Sequence, residues 1–143
     1  MGMSIQSFSC SFLMPAAHQS FSDVSRVIVP GVDGRIGILP RHATMIFKLK
    51  SGVVSIHTTS GKSDHYFVWG GVASVEQHLC NIVTEAFTIL DELDPMILNQ
   101  KLKGYQADLL GVSLEQEKDK LNYKIAITEA MLRVLKDQQK SLS

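Results

Sequence analysis

The residues that could carry chemistry are the glycines of GVDGRIG, five histidines, the serines near the N-terminus and a knot of acids after the midpoint. Gly31, Gly34 and Gly37 recur at intervals of three. A phosphate loop would need GxGxxG or GxxxxGK[ST] opening onto a helix. Here the segment joins one β-rich run to another, so no helix N-terminus stands ready for an anion, and turn glycines are the plainer reading. His18, His42, His57, His65 and His78 include no pair at helical metal-ligand spacing. His57 and His65 could face each other across a hairpin closed at Ser60-Gly61, as solvated or core-edge imidazoles. No GxSxG frames a serine nucleophile. Asp91, Glu92 and Asp94 fall where a helix would begin, and acids belong there because they oppose the positive end of the helix dipole. No group of residues would activate a nucleophile. Cys10 and Cys80 match neither CxxC nor a Cys/His ligand spacing. They read as two small buried hydrophobes, which suits a reducing compartment. The sequence therefore asks for no catalytic residue, no metal, no nucleotide and no other cofactor.

Charge narrows the partners. The chain has 14 Lys+Arg and 14 Asp+Glu, so it lacks the basic footprint of a nucleic-acid binder. A net charge near zero also favours association, which points to a standing protein partner. The start of the chain has no basic segment leading a long apolar run, so no signal peptide is expected. Gln6 stands where N-myristoylation wants Ser or Thr. No run approaches the roughly 20 apolar residues that span a bilayer. Any membrane association would then go through another protein, without direct insertion.

The elements that must position these residues change character near residue 90. Before it, apolar residues alternate. In SFSCSFL, Phe8, Cys10 and Phe12 point one way and the serines the other, the mark of a strand with one wet face. RVIVPG, RIGILP, GVVSIHTT, HYFVWGG and LCNIVTEAF follow as short β-rich runs. Pro30-Gly31, Asp33-Gly34, Ser51-Gly52, Ser60-Gly61 and Gly70-Gly71 read as the turns between them. After residue 90, Asp94-Pro95 predicts a helix start, with Asp as N-cap and Pro in the first turn. Leu98, Leu102, Tyr105 and Leu109 form one helical stripe, and Gly111 ends it. Ser113 and Gln116 match a capping box. Leu121, Ile125, Thr128, Leu132 and Leu135 form a second stripe, widened by Ala126, Ala130 and Val134. A link of two or three residues makes the helices an antiparallel hairpin. The expected fold is α+β: an N-terminal antiparallel β-sandwich, residues 1–90, followed by a C-terminal antiparallel two-helix hairpin, residues 91–143. A pair of helices buries only one stripe each, so the hairpin should be a weakly docked arm.

The segment GVDGRIGILPRHATMIFKLKSGVVSI resembles the signature region of ATP synthase epsilon subunits of the bacterial type. That family shows Gly-x-x-Gly-x-hydrophobic-Gly, then Pro, one residue and His-Ala. Gly31, Gly34, Gly37, Pro40, His42 and Ala43 fill those places, and Gly52 matches a turn glycine before the next strand. GGVASVEQHLCNIVTEAF and the predicted hairpin extend the resemblance over nearly the whole chain.

The resemblance implies a non-catalytic central-stalk subunit, at the cytoplasmic face of the bacterial inner membrane, that links the gamma subunit to the c-ring. It implies a c-ring-facing loop at Arg35, Ile36 and Gly37, and a gamma-facing His42. It also implies a hairpin able to inhibit ATP hydrolysis at the catalytic head, for which Arg133, Lys136 and Lys140 are the basic contacts. Arg35 stands where relatives often carry an acid. An ATP-binding motif of some relatives is matched at Leu90 and Asp91, but Asp94 and Pro95 replace its Arg and Ala. A carboxylate there repels phosphate, so ATP binding is not carried over. Two other readings fit the residues alone: a stand-alone β-sandwich adaptor with a helical docking arm, and a small hydrolase, which would need a pocket joining a serine to one of the histidines.

Overall fold

The structure is a computed structural model and describes residues 6–142, with side chains through residue 139. Its strands are β1 (Phe8–Met14), β2 (Ala17–Gly31), β3 (Gly34–Ile38), β4 (Met45–Thr58), β5 (Ser63–Val75), β6 (Leu79–Val83) and β7 (Phe87–Ile89). A 3₁₀ turn at Leu90–Glu92 precedes α1 (Pro95–Leu110) and α2 (Glu115–Leu142). The chain divides into two compact units, residues 1–90 and 91–143.

The strands run in the order β1-β6-β5-β4-β2-β3, with β7 added on β5. β2 is long enough to serve two neighbourhoods. Its first half pairs with β1, from Ala17↔Met14 to Val24↔Phe8, and its second half pairs with β3 and β4. The ladder therefore closes on itself, which leaves few free strand edges to recruit other chains. All described pairings are antiparallel except β1 with β6, which is parallel. Asp23, at φ 54°, lies where the register of β2 slips against β1, as at a β-bulge; against β4 the slips fall between Val24 and Arg26 and between Ile28 and Gly31.

The core lies inside this closed sheet. Phe12, Val24, Val27, Val29, Ile38, Val54, Ile56, Val68 and Ile82 are fully buried. Phe12 stacks on Phe87 at 4.9 Å and meets Phe21 and Tyr66 edge-on at 5.8 and 5.2 Å. Such pairs add about 0.5–1.5 kcal/mol each beyond the area they bury. The alternation expected for the first strand holds in part: Phe8, Cys10 and Phe12 are buried and Ser9 is exposed, but Ser11 is buried too, its hydroxyl 3.0 Å from that of Ser20.

Two of the expected turns are strand interior: Ser51-Gly52 lies within β4 and Gly70-Gly71 within β5, while Pro30-Gly31 ends β2 just before the Val32-Asp33 turn. Gly52 sits against the Pro30 ring, 2.9 Å from where its Cβ would stand. Gly71, at φ +128°, lies so close to β6 that a Cβ would fall on the Val83 carbonyl. These glycines allow close approach of neighbouring strands; they do not reverse the chain. Ser60-Gly61 is a turn, with Gly61 at φ +90° and its N–H donated to the Thr58 carbonyl at 3.0 Å.

In the second unit Asp94 caps α1, its Oδ1 accepting from the Met96 N–H at 2.9 Å, with Pro95 at the first position. Gly111 closes the helix, its N–H bonded to the Asp108 carbonyl at 3.0 Å. The link covers residues 111–114, slightly longer than expected. α2 begins at Glu115, so Leu114 and not Ser113 occupies the cap position. Leu98 is buried, and Leu102, Tyr105 and Leu109 are half-buried. On α2, Ile127 and Met131 are buried where the stripe did not include them, and Ala126 is exposed. Thr128 is tolerated inside its stripe because its hydroxyl donates to the Lys124 carbonyl at 2.7 Å.

Candidate functional site

The β2–β3 hairpin displays the Gly-rich motif. Its tip is Val32-Asp33, and Arg35, Ile36 and Gly37 lie on strand β3, not on a loop. The neck is tight: a Cβ at Gly31 would stand 2.6 Å from the Gly34 carbonyl. Ile36 packs its side chain on the core, while Gly37 is exposed. Arg35 reaches back so that its Nη1 donates to the Val53 carbonyl at 3.4 Å. The hairpin thus presents Val32, about half exposed, and an arginine braced on β4.

His42 belongs to the segment between β3 and β4. The preceding Arg41 holds a left-handed backbone at φ 63° and donates its N–H to the Gln77 carbonyl at 3.2 Å. A non-glycine residue in that region is strained, and such strain clusters at functional positions. Arg41, His42, Thr44, Glu76 and Gln77 line a cavity of about 610 Å³. The His42 ring lies 6.3 Å from Phe47, and its Nε2 is buried with no hydrogen-bond partner among the described residues. An unmade bond of this kind costs about 1–3 kcal/mol. Beyond it, Ile46 is 74% exposed, and Val72 and Val83 are also exposed on paired positions of β5 and β6. Neither Glu76-Gln77 nor this apolar exposure was visible in the sequence; locating them needs the strand register.

Serines and histidines do meet. Ser20 Oγ lies 2.9 Å from His18 Nε2, Ser55 Oγ 2.7 Å from His65 Nδ1, and Ser63 Oγ 2.7 Å from His57 Nδ1. Among the described hydrogen bonds, none brings a carboxylate to orient any of these rings, as triad chemistry requires. His57 and His65 face each other as the sequence suggested, edge to face at 6.4 Å. His57 is held below its ordinary pKa, first by desolvation, then by Arg26 and His65. His78 is exposed on the turn before β6.

In the hairpin unit, Arg133 and Lys136 are exposed, and the side chain of Lys140 lies outside the described residues. Lys136 borders a cavity of about 290 Å³ with Pro95, Asn99, Leu132, Leu135 and Gln139. A second cavity, about 560 Å³, lies by the helix link among Ala107, Gly111, Lys120, Leu121 and Lys124. Lys124 also lies over the Tyr105 ring at 5.8 Å. At the start of α1 the Asp94 carboxylate already occupies the backbone donor that a phosphate would use. Among the described residues no group of three or more His, Cys, Asp or Glu could hold a metal ion. No described helix is long and apolar enough to cross a membrane.

The β-sandwich domain of ATP synthase delta/epsilon chains matches residues 7–89. The ATP synthase epsilon chain of Rhizobium meliloti (strain 1021) is 30% identical over 121 residues, spanning 85% of this chain and 90% of that one. The mitochondrial ATP synthase subunit delta of Trypanosoma brucei brucei is 33% identical over 114 residues, spanning 79% of this chain and 63% of that one. Among solved structures, a chain of the Euglena gracilis mitochondrial ATP synthase superposes with a TM-score of 0.72 at 20% identity, covering 94% of this chain and 84% of that one. A chain of the Tetrahymena thermophila mitochondrial ATP synthase central stalk and c-ring gives 0.58 at 14% identity, covering 92% and 98%. The fold, a β-sandwich followed by two helices, is thus shared with chains of ATP synthases. The chain belongs to the ATP synthase delta/epsilon chain family.

Proposed function

We propose that this chain is a non-catalytic rotor subunit that joins the gamma subunit to the c-ring. The observation that carries the reading is the family membership, which spans both the sandwich and part of the hairpin. The sandwich, residues 1–90, is the rotor-binding part. The β2–β3 hairpin with Arg35, Ile36 and Gly37 is the element offered to the c-ring, at the strand positions and tip described above. His42 faces gamma, where a donor or acceptor from the partner would meet its unpartnered Nε2 and exposed Ile46 would be covered. The subunit holds to the membrane face through the ring and not by insertion. Its place is the cytoplasmic face of the bacterial inner membrane, a reading that the similarity to bacterial ATP synthase epsilon chains supports.

The hairpin, residues 91–143, is the regulatory arm. Extended, it carries Arg133, Lys136 and Lys140 toward an acidic surface of the catalytic head. Each exposed pair contributes only about 0–1 kcal/mol, so inhibition requires several pairs together with the apolar stripe. Affinity purification of the tagged chain from solubilised membranes should recover gamma and the c-ring subunit. ATP hydrolysis by the complex should rise when the chain ends at residue 90. Recovery of neither partner overturns the rotor reading, and equal hydrolysis rates overturn the regulatory one alone.

A further inference from the structure

The chain has two cysteines, far apart in sequence, and the fold brings them together. Cys10 on β1 stands directly opposite Cys80 on β6, in the parallel ladder that runs from Ser9↔Leu79 to Leu13↔Val83. That ladder is fastened at both ends. The Ser9 N–H donates to the His78 carbonyl and the Thr84 N–H to the Leu13 carbonyl, each at 3.0 Å. Residues paired across neighbouring strands share a face, with backbones about 4.8 Å apart. A disulfide bridges Cα atoms about 4.4–6.8 Å apart, so this pairing lies within its reach. Both side chains are fully buried, and both are free thiols.

The pair sits on the seam of the sheet. β1 joins β6 on one side and β2 on the other, and these two ladders close the sheet on itself. The β1–β2 ladder slips between Phe8 and Cys10, and such a slip disrupts the bonding locally. Strands open locally where their bonding is weakest. Opening here exposes a thiol whose ionisation burial no longer opposes, and closing returns it to its partner.

We propose that Cys10 and Cys80 form a reversible oxidation site, a dithiol that small hydroperoxides convert into a disulfide stapling β1 to β6. In the open seam one thiolate attacks the hydroperoxide. An S–O bond forms, the O–O bond breaks, and the departing oxygen takes a proton and leaves as an alcohol or water. The product is a sulfenic acid. When β1 returns to register, the other thiol attacks the sulfenic sulfur. The S–S bond forms, the S–O bond breaks, and water leaves with the thiol proton. Two thiols have then been oxidised and one hydroperoxide reduced. A thiol reductant reverses the bond by exchange.

The test uses the purified, fully reduced chain, exposed to hydrogen peroxide for as long as a maleimide takes to label it. The intact mass should fall by two hydrogens, a digest should contain the Cys10–Cys80 linked peptide, and dithiothreitol should restore both thiols. The unfolding equilibrium constant of the oxidised chain should fall about thirtyfold or more, as closing a long loop implies. Cys10→Ala and Cys80→Ala should gain no stability from peroxide. Thermal melts establish that each is folded; if neither is, the linked peptide and the stability gain of the unsubstituted chain decide alone. Thiols that survive peroxide while the maleimide labels them would overturn the proposal. So would added oxygen without a linked peptide, disulfides between chains, or a linked peptide with no gain in stability.

Discussion

Cys10 and Cys80 stand opposite each other in the parallel ladder between β1 and β6, both fully buried. The two thiols are hydrogen-bonded, and that bond, together with burial, pushes the Cys10 thiol well above its ordinary range. Burial shields both cysteines from a thiol reagent in the native protein, and the raised pKa of Cys10 slows its reaction further because thiolate is the reactive form. Labelling should proceed only as fast as β1 separates from β6, and should be immediate in denaturant. Fast native labelling would mean that β1 is not held in the closed sheet.

Two glycines should respond in opposite directions to alanine. Gly71→Ala places a methyl group on the Val83 carbonyl at a positive φ, so it should cost on the order of 3 kcal/mol. Gly104 lies inside α1 with open space around it, so Gly104→Ala should stabilise the helix by about 0.5–1 kcal/mol. Denaturant titration of both variants checks the pair.

His57 should make stability depend on pH. Its folded pKa is lowered from 6.5, chiefly by desolvation and then by Arg26 and His65. Well above 6.5 it is neutral in both states and contributes no slope. As pH falls through 6.5 the unfolded chain takes up the proton first, so stability falls until the pH is also below the folded value. His57→Gln should flatten that part of the profile when compared with the unsubstituted chain. An identical slope in both proteins would assign the dependence to other groups.

The elements carried by strong local rules were legible in the sequence. Asp94-Pro95 names the start of α1 because cap and first turn are set by adjacent residues. The alternation of Phe8, Cys10 and Phe12 names β1 for the same reason. Gly52 and Gly71 were misread as turns because a glycine that admits a neighbouring strand has the same local signature as one that reverses the chain. Only the packing of Pro30 and Val83 distinguishes the two. The candidate surfaces were less legible still. RIGILP read correctly as a β-rich run, and only the family resemblance made Arg35 through Gly37 a loop; Arg26 could be placed beside His57 only once the β2–β4 register was known.

The central claim is that this sandwich bridges gamma and the c-ring through two separate faces. The most direct measurement places a photo-activated cross-linking residue at position 36 in one variant and at position 42 in another, each assembled into the complete ATP synthase. The account predicts that position 42 captures gamma and position 36 captures the c-ring subunit, each without the other. Capture of neither partner from both positions, in a complex that retains the chain, would contradict it.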